Sequence, residues 1–363
     1  MIRYLIADDL TGAADASVHF ATSREIEMAI TLPTPNSVSL PTSWGGPGWG
    51  QTQAERLLVL DTETRDTPPD QAASIVRLAC QGLGEGLFKK VDSTLRGPVA
   101  AELAAARVAL GRSTAVLAPT LPAQGRTVRA GRLLVDGVDA GRVSENLGAA
   151  AVSVSVEALK TGQLPGLVVV DATTDADLDR IAAACQRRPD LLPAGSAGLA
   201  AAFARLEGSA APTTGPTCRR VLVAVASRHP AARAQLAALA AEPHPAIEII
   251  AVPADAEGIP TELAARLGRQ AWDWLVDPLP AFGGTPPPSG GESVLATGGD
   301  AALAVCRALG IASIRPRAEV LPGVVWSETG RAGLTIATKA GGFGGPRLLL
   351  DAALKLLGMD PHG

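Results

Sequence analysis

The sequence predicts an α/β protein of two domains, in each of which a largely parallel sheet is flanked by helices. The chain has 363 residues, which is more than one ordinary domain of about 100 to 200 residues. Short apolar runs alternate with Ala-rich segments of helical length, a pattern typical of parallel sheets. Apolar residues make up 47% of the chain, enough to fill two cores.

Two series of apolar runs are predicted as strands. The first comprises residues 4–7, 57–60, 87–91, 114–118 and 167–170, with helices at 98–110 and 175–187. The second comprises residues 221–226, 247–252, 293–297 and 334–338. Segment 208–218 is rich in Gly, Pro and small residues and is predicted to link domain 1–207 to domain 219–363. The low-complexity stretches 42–53 and 278–291 are predicted as surface loops.

Composition excludes several classes of protein. The chain has 32 basic and 36 acidic residues, and aromatics are only 3%, so neither a polyanion-binding surface nor a base-stacking surface is expected. No apolar run approaches the roughly 18 residues of a membrane span, and the N-terminus lacks the pattern of a signal peptide. The four cysteines, Cys80, Cys185, Cys218 and Cys306, form no CxxC pair. We therefore expect a cytoplasmic protein that binds small molecules, without nucleic-acid or membrane partners.

Two acidic residues follow the first predicted strand, in the segment ADDLTGAAD. Asp8 and Asp9 stand at its carboxyl end, where open α/β sheets bind ligands, and Thr11 is placed to cap the next helix. A carboxylate here can accept a proton from a substrate hydroxyl or bind magnesium. The alternative interpretation is that one or both carboxylates only cap the helix.

A denser polar segment, KKVDSTLRG, follows the strand at 87–91. Lysine and arginine donors, hydroxyl groups and the amino end of the next helix together favour an anionic substrate. A solvated turn is the alternative. The candidate residues here are Lys89, Asp92, Ser93, Arg96 and Gly97. Arg65 in DTETR and Arg126 in PTLPAQGRTVRAG also follow strands and are candidates for the same site, although a turn would explain Arg65 equally well.

The C-terminal half has neither GxxxxGK[ST] nor GxGxxG, so a nucleotide site must be argued from other strand ends. Glycines before helices let backbone N–H groups approach phosphates, and a lysine can neutralise one. Singly, each glycine turn is more often a tight connection. Three strand ends offer such turns, at Ser227, at Gly298, Gly299 and Asp300, and at Lys339, Gly341 and Gly344.

In order along the chain, ADDLTGAAD, DTETR, KKVDSTLRG, GRT with LLVDG, GSAGLA, ASR, TGGD, LPG and KAGGFG resemble the motifs of the four-carbon acid sugar kinases. The resemblance spans nearly the whole chain. It implies an N-terminal acid-sugar domain, a C-terminal nucleotide domain and an active site in the cleft between them. Members of this family phosphorylate threonate, erythronate or 3-oxo-tetronate.

The resemblance also implies roles for individual residues. Those expected to face the sugar acid are Asp8, Asp9, Lys89, Asp92, Ser93 and Arg96. Those expected to hold ATP are Ser227, Gly298, Gly299, Asp300, Gly323, Gly341 and Gly344. The hypothesis is in-line transfer of the γ-phosphoryl group to a terminal hydroxyl, with Mg²⁺ bridging phosphate oxygens. Asp8 or Asp9 would orient or deprotonate the hydroxyl, and Lys89 and Arg96 would clamp the substrate carboxylate.

Two rival functions stay open at this point. One is a sensor that binds a sugar acid without phosphoryl transfer. The other is a nicotinamide-dependent dehydrogenase, although the absence of GxGxxG counts against it. The sequence leaves open which acid sugar is used, and a homodimer is a further option.

Overall fold

The computed structural model describes residues 1–30, 56–147, 151–160, 162–253, 256, 260–276 and 291–361. The predicted loops 42–53 and 278–291 lie outside the described residues, except for Gly291. The chain divides into two compact units, Met1–Ala210 and Ala211–Gly363.

The first unit is built on a parallel sheet of eight described strands, in the order β2-β3-β1-β4-β11-β5-β10-β9. Five of these strands come from the predicted runs and carry side chains that are buried along most of their length, as a sheet covered on both faces requires. The strands are β1 Tyr4–Ala7, β2 Glu25–Ala29, β3 Arg56–Asp61, β4 Leu87–Lys90, β5 Thr114–Ala118, β9 Ala151–Val154, β10 Leu167–Val170 and β11 Leu191–Gly195.

Helices connect these strands. The described helices of the unit are α1 Leu10–Ser17, α2 Pro69–Ala79, α3 Val99–Ala109, α4 Val143–Asn146, α5 Val156–Lys160, α6 Asp175–Gln186 and α7 Ala197–Leu206. The start of α6 is fixed by a capping box, in which Thr174 and Asp177 each bond the other's backbone N–H. Asp9 caps α1 by accepting from the N–H of Gly12. The prediction that Thr11 caps this helix is therefore wrong; Thr11 instead donates to Asp9.

A small antiparallel sheet was not predicted. It consists of β6 Arg126–Arg129, β7 Arg132–Val135 and β8 Val138–Arg142. Its turns place Ala130, Gly131, Asp136 and Gly137 at positive φ. Its strands are short and partly exposed, and two of them, β6 and β8, are mostly polar. Such strands lack the continuous apolar run on which the prediction of buried strands depends.

The second unit has a mixed sheet in the order β13-β12-β14-β17-β16-β15. The first four strands are parallel and the last two are antiparallel. The antiparallel hairpin turns at Pro322 and Gly323, and Gly323 has φ +75°, as a turn with Pro followed by Gly requires. The strands are β12 Cys218–Val225, β13 Ile247–Ala251, β14 Gly291–Thr297, β15 Ser313–Leu321, β16 Val324–Glu328 and β17 Leu334–Lys339, and the described helices are α8 Pro230–Ala241, α9 Pro260–Val276, α10 Gly299–Ala308 and α11 Leu348–Leu356.

The predicted α/β class, with largely parallel sheets flanked by helices, is confirmed. Among the described residues, no helix combines the length and apolar character needed to cross a membrane. All four cysteines are free and buried.

Candidate active site

Three neighbouring strands of the first unit, β3, β1 and β4, end beside one another and bring a set of charged side chains together. We call this set the N-terminal cluster: Asp8, Asp9, Arg65, Asp92 and Arg96. Its carboxylates and guanidinium groups come from segments far apart in sequence that meet only because the strands pair in parallel. The sequence-based prediction had placed each of them at a strand end.

Arg65 joins the carboxylates of the cluster. Its Nε donates to Asp8 Oδ2 at 2.7 Å, and its two terminal nitrogens donate to the carboxylate of Asp9 at 2.7 and 2.8 Å. One terminal nitrogen also lies 3.6 Å from Asp92 Oδ1. A planar fork of donors suits such paired contacts, which a lysine could not reproduce.

Asp8 and Asp9 differ in their environments. Both oxygens of Asp9 are used, because Asp9 accepts from Arg65, from Thr11 at 2.7 Å and from the N–H of Gly12 at 2.9 Å. Asp8 is 2% exposed, and its Oδ1 has no hydrogen-bond partner among the described residues. The capping interpretation is thus confirmed for Asp9, whereas Asp8 Oδ1 is buried without a hydrogen-bond partner among the described residues.

The pKa values of the two carboxyls move in opposite directions. Burial raises the pKa of Asp8 above its usual range, and the attraction of Arg65 offsets this only in part. Burial also acts to raise the pKa of Asp9. The positive charges of Arg65 and Lys90 act in the opposite direction, and the resulting pKa lies below its usual range. Two adjacent carboxyl groups whose pKa values are shifted in opposite directions are suited to different chemical tasks.

Asp61 was not predicted as a site residue, yet it lies at the end of β3 within the same group of carboxyls. Its Oδ1 accepts from the N–H of Glu63 at 3.0 Å and so supports the positive φ of Glu63, +50°. Burial raises the pKa of Asp61 well above its usual range. Asp61 therefore shapes the loop that carries Arg65.

Asp92 organises the turn after β4. Its carboxylate accepts from the N–H of Thr94 at 3.0 Å and from Arg96 at 2.6 and 3.1 Å. Burial acts to raise the pKa of Asp92, but Arg96 and Arg65 hold it well below its usual range. Arg96 itself is 64% exposed and can reach a ligand. Ser93 is half-buried in this turn.

Gly97 permits the close approach of two loops. Its φ is +88°, and a Cβ at this position would lie 2.9 Å from the backbone oxygen of Arg65. A side chain here would push on the backbone that positions the guanidinium.

The two lysines of β4 point to opposite faces of the sheet, since successive side chains of a strand alternate. Lys89 is fully buried and forms an ion pair with Glu102 Oε2 at 2.7 Å. The expectation that Lys89 clamps a substrate carboxylate does not fit this geometry, because its ammonium group is fully buried against Glu102 of α3. Lys90, which was not selected, lies on the side of Asp9: a Cβ on Gly12 would lie 2.5 Å from Asp9 Oδ1 and 2.8 Å from Lys90 Nζ.

Arg126 lies on β6 in the small antiparallel sheet. It donates to the backbone oxygen of Gln124, and its guanidinium is 3.9 Å from Asp136 Oδ1. Its contacts in the described part of the chain are therefore local and do not include the N-terminal cluster.

In the second unit, the ends of β12, β14 and β17 meet at Ser227, Gly298 and Gly341. A Cβ on Gly341 would lie 2.6 Å from Ser227 Oγ and 3.8 Å from Gly298 Cα. Gly298 has φ +93° and caps α10, whose first turn contains Gly299 and the exposed Asp300. The strand ends thus form a surface of small residues at a helix amino terminus, which accepts anions readily.

The remaining predicted residues lie in or beside the loop after β17, residues 340–345. A Cβ on Gly323 would lie 2.4 Å from the ring of Phe343, and Gly344 has φ +90°. Lys339 is 1% exposed, and its Nζ lies 3.5 Å from the backbone oxygen of Gly341. Burial lowers the pKa of Lys339 to about 8. Because burying a charge is costly, an ammonium group in this position favours the binding of an anion.

Two further residues of the second unit escaped sequence-based prediction. Gln235 bonds to the glycine loop, and the ring of His229 would lie 3.2 Å from a Cβ on Gly342. His229 also caps α8 with Nδ1. The Pro at the next position signalled a helix start, but nothing in the sequence linked either residue to a loop about 110 positions away.

Comparison with known proteins identifies the family. A model described as a sugar-binding N-terminal domain matches residues 4–145 and 137–203, and one described as a nucleotide-binding C-terminal domain matches residues 287–349. A D-threonate kinase from Bordetella bronchiseptica is 34% identical, with 96% of each chain covered. The chain belongs to the four-carbon acid sugar kinase family. The recognition made from its motifs is thereby confirmed.

Other members of this family are more distant. A 3-oxo-tetronate kinase from Cupriavidus necator is 27% identical, with 97% of this chain and 96% of the relative covered. The solved structure of a Haemophilus influenzae protein is 20% identical and covers 98% of this chain and 99% of its own, with a TM-score of 0.63. This likeness shows the shared fold alone.

Proposed function

We propose that this protein is an ATP-dependent kinase that phosphorylates the terminal hydroxyl of a four-carbon acid sugar of the threonate, erythronate or 3-oxo-tetronate type. The observation that carries the proposal is the buried Asp8 Oδ1, which lacks a partner among the described residues and lies beside the arginine-rich cluster of a chain from this kinase family. A carboxylate in this state is suited to receive a substrate hydroxyl.

Asp8 is assigned the role of orienting and deprotonating that hydroxyl. A general base works best when its pKa approaches the working pH, and burial moves the pKa of Asp8 in that direction. Asp9 is assigned a supporting role, because its oxygens hold Arg65 and the start of α1. Arg65, Arg96 and Lys90 supply positive charge for the acid group of the sugar.

The second unit is assigned the nucleotide. Ser227, Gly298 and Gly341 leave room for phosphates next to the backbone, and Lys339 supplies a point charge. Phosphoryl transfer needs mainly positioning and charge neutralisation, which these groups provide without covalent chemistry by the protein. Asp300, in the first turn of α10, belongs to the same assignment.

Mg²⁺ is the expected partner of ATP. Among the described residues, no group of three or more His, Cys, Asp or Glu side chains is placed to hold a metal. This fits Mg²⁺, which usually takes one or two carboxylates together with substrate phosphates. The ion would neutralise charge on the phosphate oxygens.

The test is ADP release by purified protein with Mg²⁺ and ATP, across stereoisomers of threonate, erythronate and 3-oxo-tetronate. Release that depends on one acid sugar supports the kinase and names its substrate. Binding of a sugar acid and of ATP without ADP release would replace the kinase by a sensor. A homodimer and a cytoplasmic location stay predictions, and light scattering of the purified protein measures the first.

A further inference from the structure

Gln235 connects helix α8 to the glycine loop of the second unit. The residue is fully buried, and its Nε2 donates to three consecutive backbone oxygens, those of Phe343 and Gly344 at 2.9 Å and that of Gly345 at 3.1 Å. A single side-chain amide thus fixes the direction of three successive peptide units.

The direction of these carbonyls determines the direction of the loop's N–H groups. All peptide bonds described are trans, and in a trans peptide the C=O of one residue and the N–H of the next point to opposite sides. The N–H groups of Gly344 and Gly345 therefore point away from Gln235. Two consecutive carbonyl groups can point to the same side only if neighbouring residues have backbone dihedrals of opposite handedness. Gly344 meets this condition with φ +90°. The third peptide leads to Pro346, which has no N–H.

Two N–H groups of the loop have no hydrogen-bond acceptor among the described residues, those of Gly344 and Gly345. Gly345 is exposed and Gly344 is half-buried. Lys339, at the end of the strand that leads into this loop, is buried and forms no ion pair with a carboxylate among the described residues. Two aligned donors and a cation favour an anion.

We propose that Gln235 is a positioning residue for nucleotide binding, which holds the loop so that the N–H groups of Gly344 and Gly345 face a phosphate of the nucleotide. This inference rests on the proposed function. The hydrogen bonds of the Gln235 side chain with the described residues all go to the loop, so its effect on the nucleotide passes through the backbone.

The test compares Gln235→Met with Gln235→Glu. Methionine keeps the length of the side chain but cannot donate, and a glutamate carboxylate would face three carbonyl oxygens. Calorimetric titration with MgADP and MgATP should show binding at least tenfold weaker in both variants, with KM for ATP raised more than kcat is lowered. Affinity for the sugar acid should stay within twofold. The matched control is Gln270→Met, an exposed position on α9, which should bind nucleotide as the wild type does.

A folded Gln235→Met protein with wild-type nucleotide affinity would overturn the inference, as would equal losses of nucleotide and sugar-acid affinity. Should both variants fail to fold, hydrogen exchange of the wild type decides: MgADP should slow exchange of the amides of Gly344 and Gly345, and unchanged exchange refutes the proposal. If the wild type binds nucleotide through Gln235 but releases no ADP with any acid sugar, the proposed function fails while this inference stands.

Discussion

Replacement of Arg65 by methionine would remove the guanidinium that joins the carboxylates of the N-terminal cluster. Arg65 is only 16% exposed and makes three hydrogen bonds of 2.7–2.8 Å to Asp8 and Asp9. Removing one partner of a buried ion cluster leaves uncompensated charge and costs about 3–5 kcal/mol. For a unit of this size, each kcal/mol lowers Tm by roughly 2–4 °C, so we expect a drop of roughly 6–20 °C near pH 7.

The pH dependence of this loss has a definite sign. The folded-state pKa of Asp9 lies below its usual value, and Arg65 is a main reason. A carboxyl with a lowered pKa stabilises the fold above its unfolded pKa, and this stabilisation is lost as the pH falls through the folded pKa. The variant lacks this contribution. The difference in Tm between wild type and Arg65→Met should therefore hold from about pH 7 to about pH 4 and shrink as the pH falls from about 4 to about 2.

Scanning calorimetry at several pH values measures both effects. Arg65→Lys keeps a charge but loses the fork of donors, so its Tm should lie between those of wild type and Arg65→Met. Arg77→Met, at an exposed position of α2, is the matched control and should change stability by less than about 0.5 kcal/mol. A drop below about 2 °C at neutral pH, or a drop of equal size at both ends of the pH range, would refute the reasoning.

Three further predictions concern the two candidate sites. Asp8→Asn should lower kcat by about 10²–10⁴-fold and leave the affinity for MgADP unchanged; wild-type turnover would remove Asp8 from the chemistry. Gly97→Ala should raise KM for the acid sugar, because its Cβ would press on the backbone of Arg65. The control is Gly82→Ala, which has a similar positive φ but open space around it; it should lose stability without a change in KM. Affinity for ATP should fall as the pH rises through about 8, where Lys339 loses its charge, and Lys339→Arg should abolish this dependence, as titration at pH values on either side would show.

The sequence predicted the strand ends of both units because each is a sharp change from an apolar run to polar residues. The predicted strand 4–7 is β1 Tyr4–Ala7, and Asp8 follows it directly. The hairpin of β15 and β16 was missed, although Pro322 and Gly323 are a turn signal that the sequence displays. Strand order, in contrast, depends on which segments pair, and no local pattern contains that information.

The lysine pair of β4 shows why strand ends can be predicted while site residues at those ends are harder. Lys89 and Lys90 are adjacent in sequence and identical in type, so residue type alone does not distinguish them. Alternation requires that they face opposite sides, but the sequence does not state which side holds α1 and which holds α3. The fold answers this question. Lys89 forms an ion pair with Glu102 of α3, and Lys90, on the opposite face, lies beside Asp9. Selection of a ligand-facing cation thus required the position of Glu102, thirteen residues beyond Lys89, and the packing of two helices on the two faces of one strand.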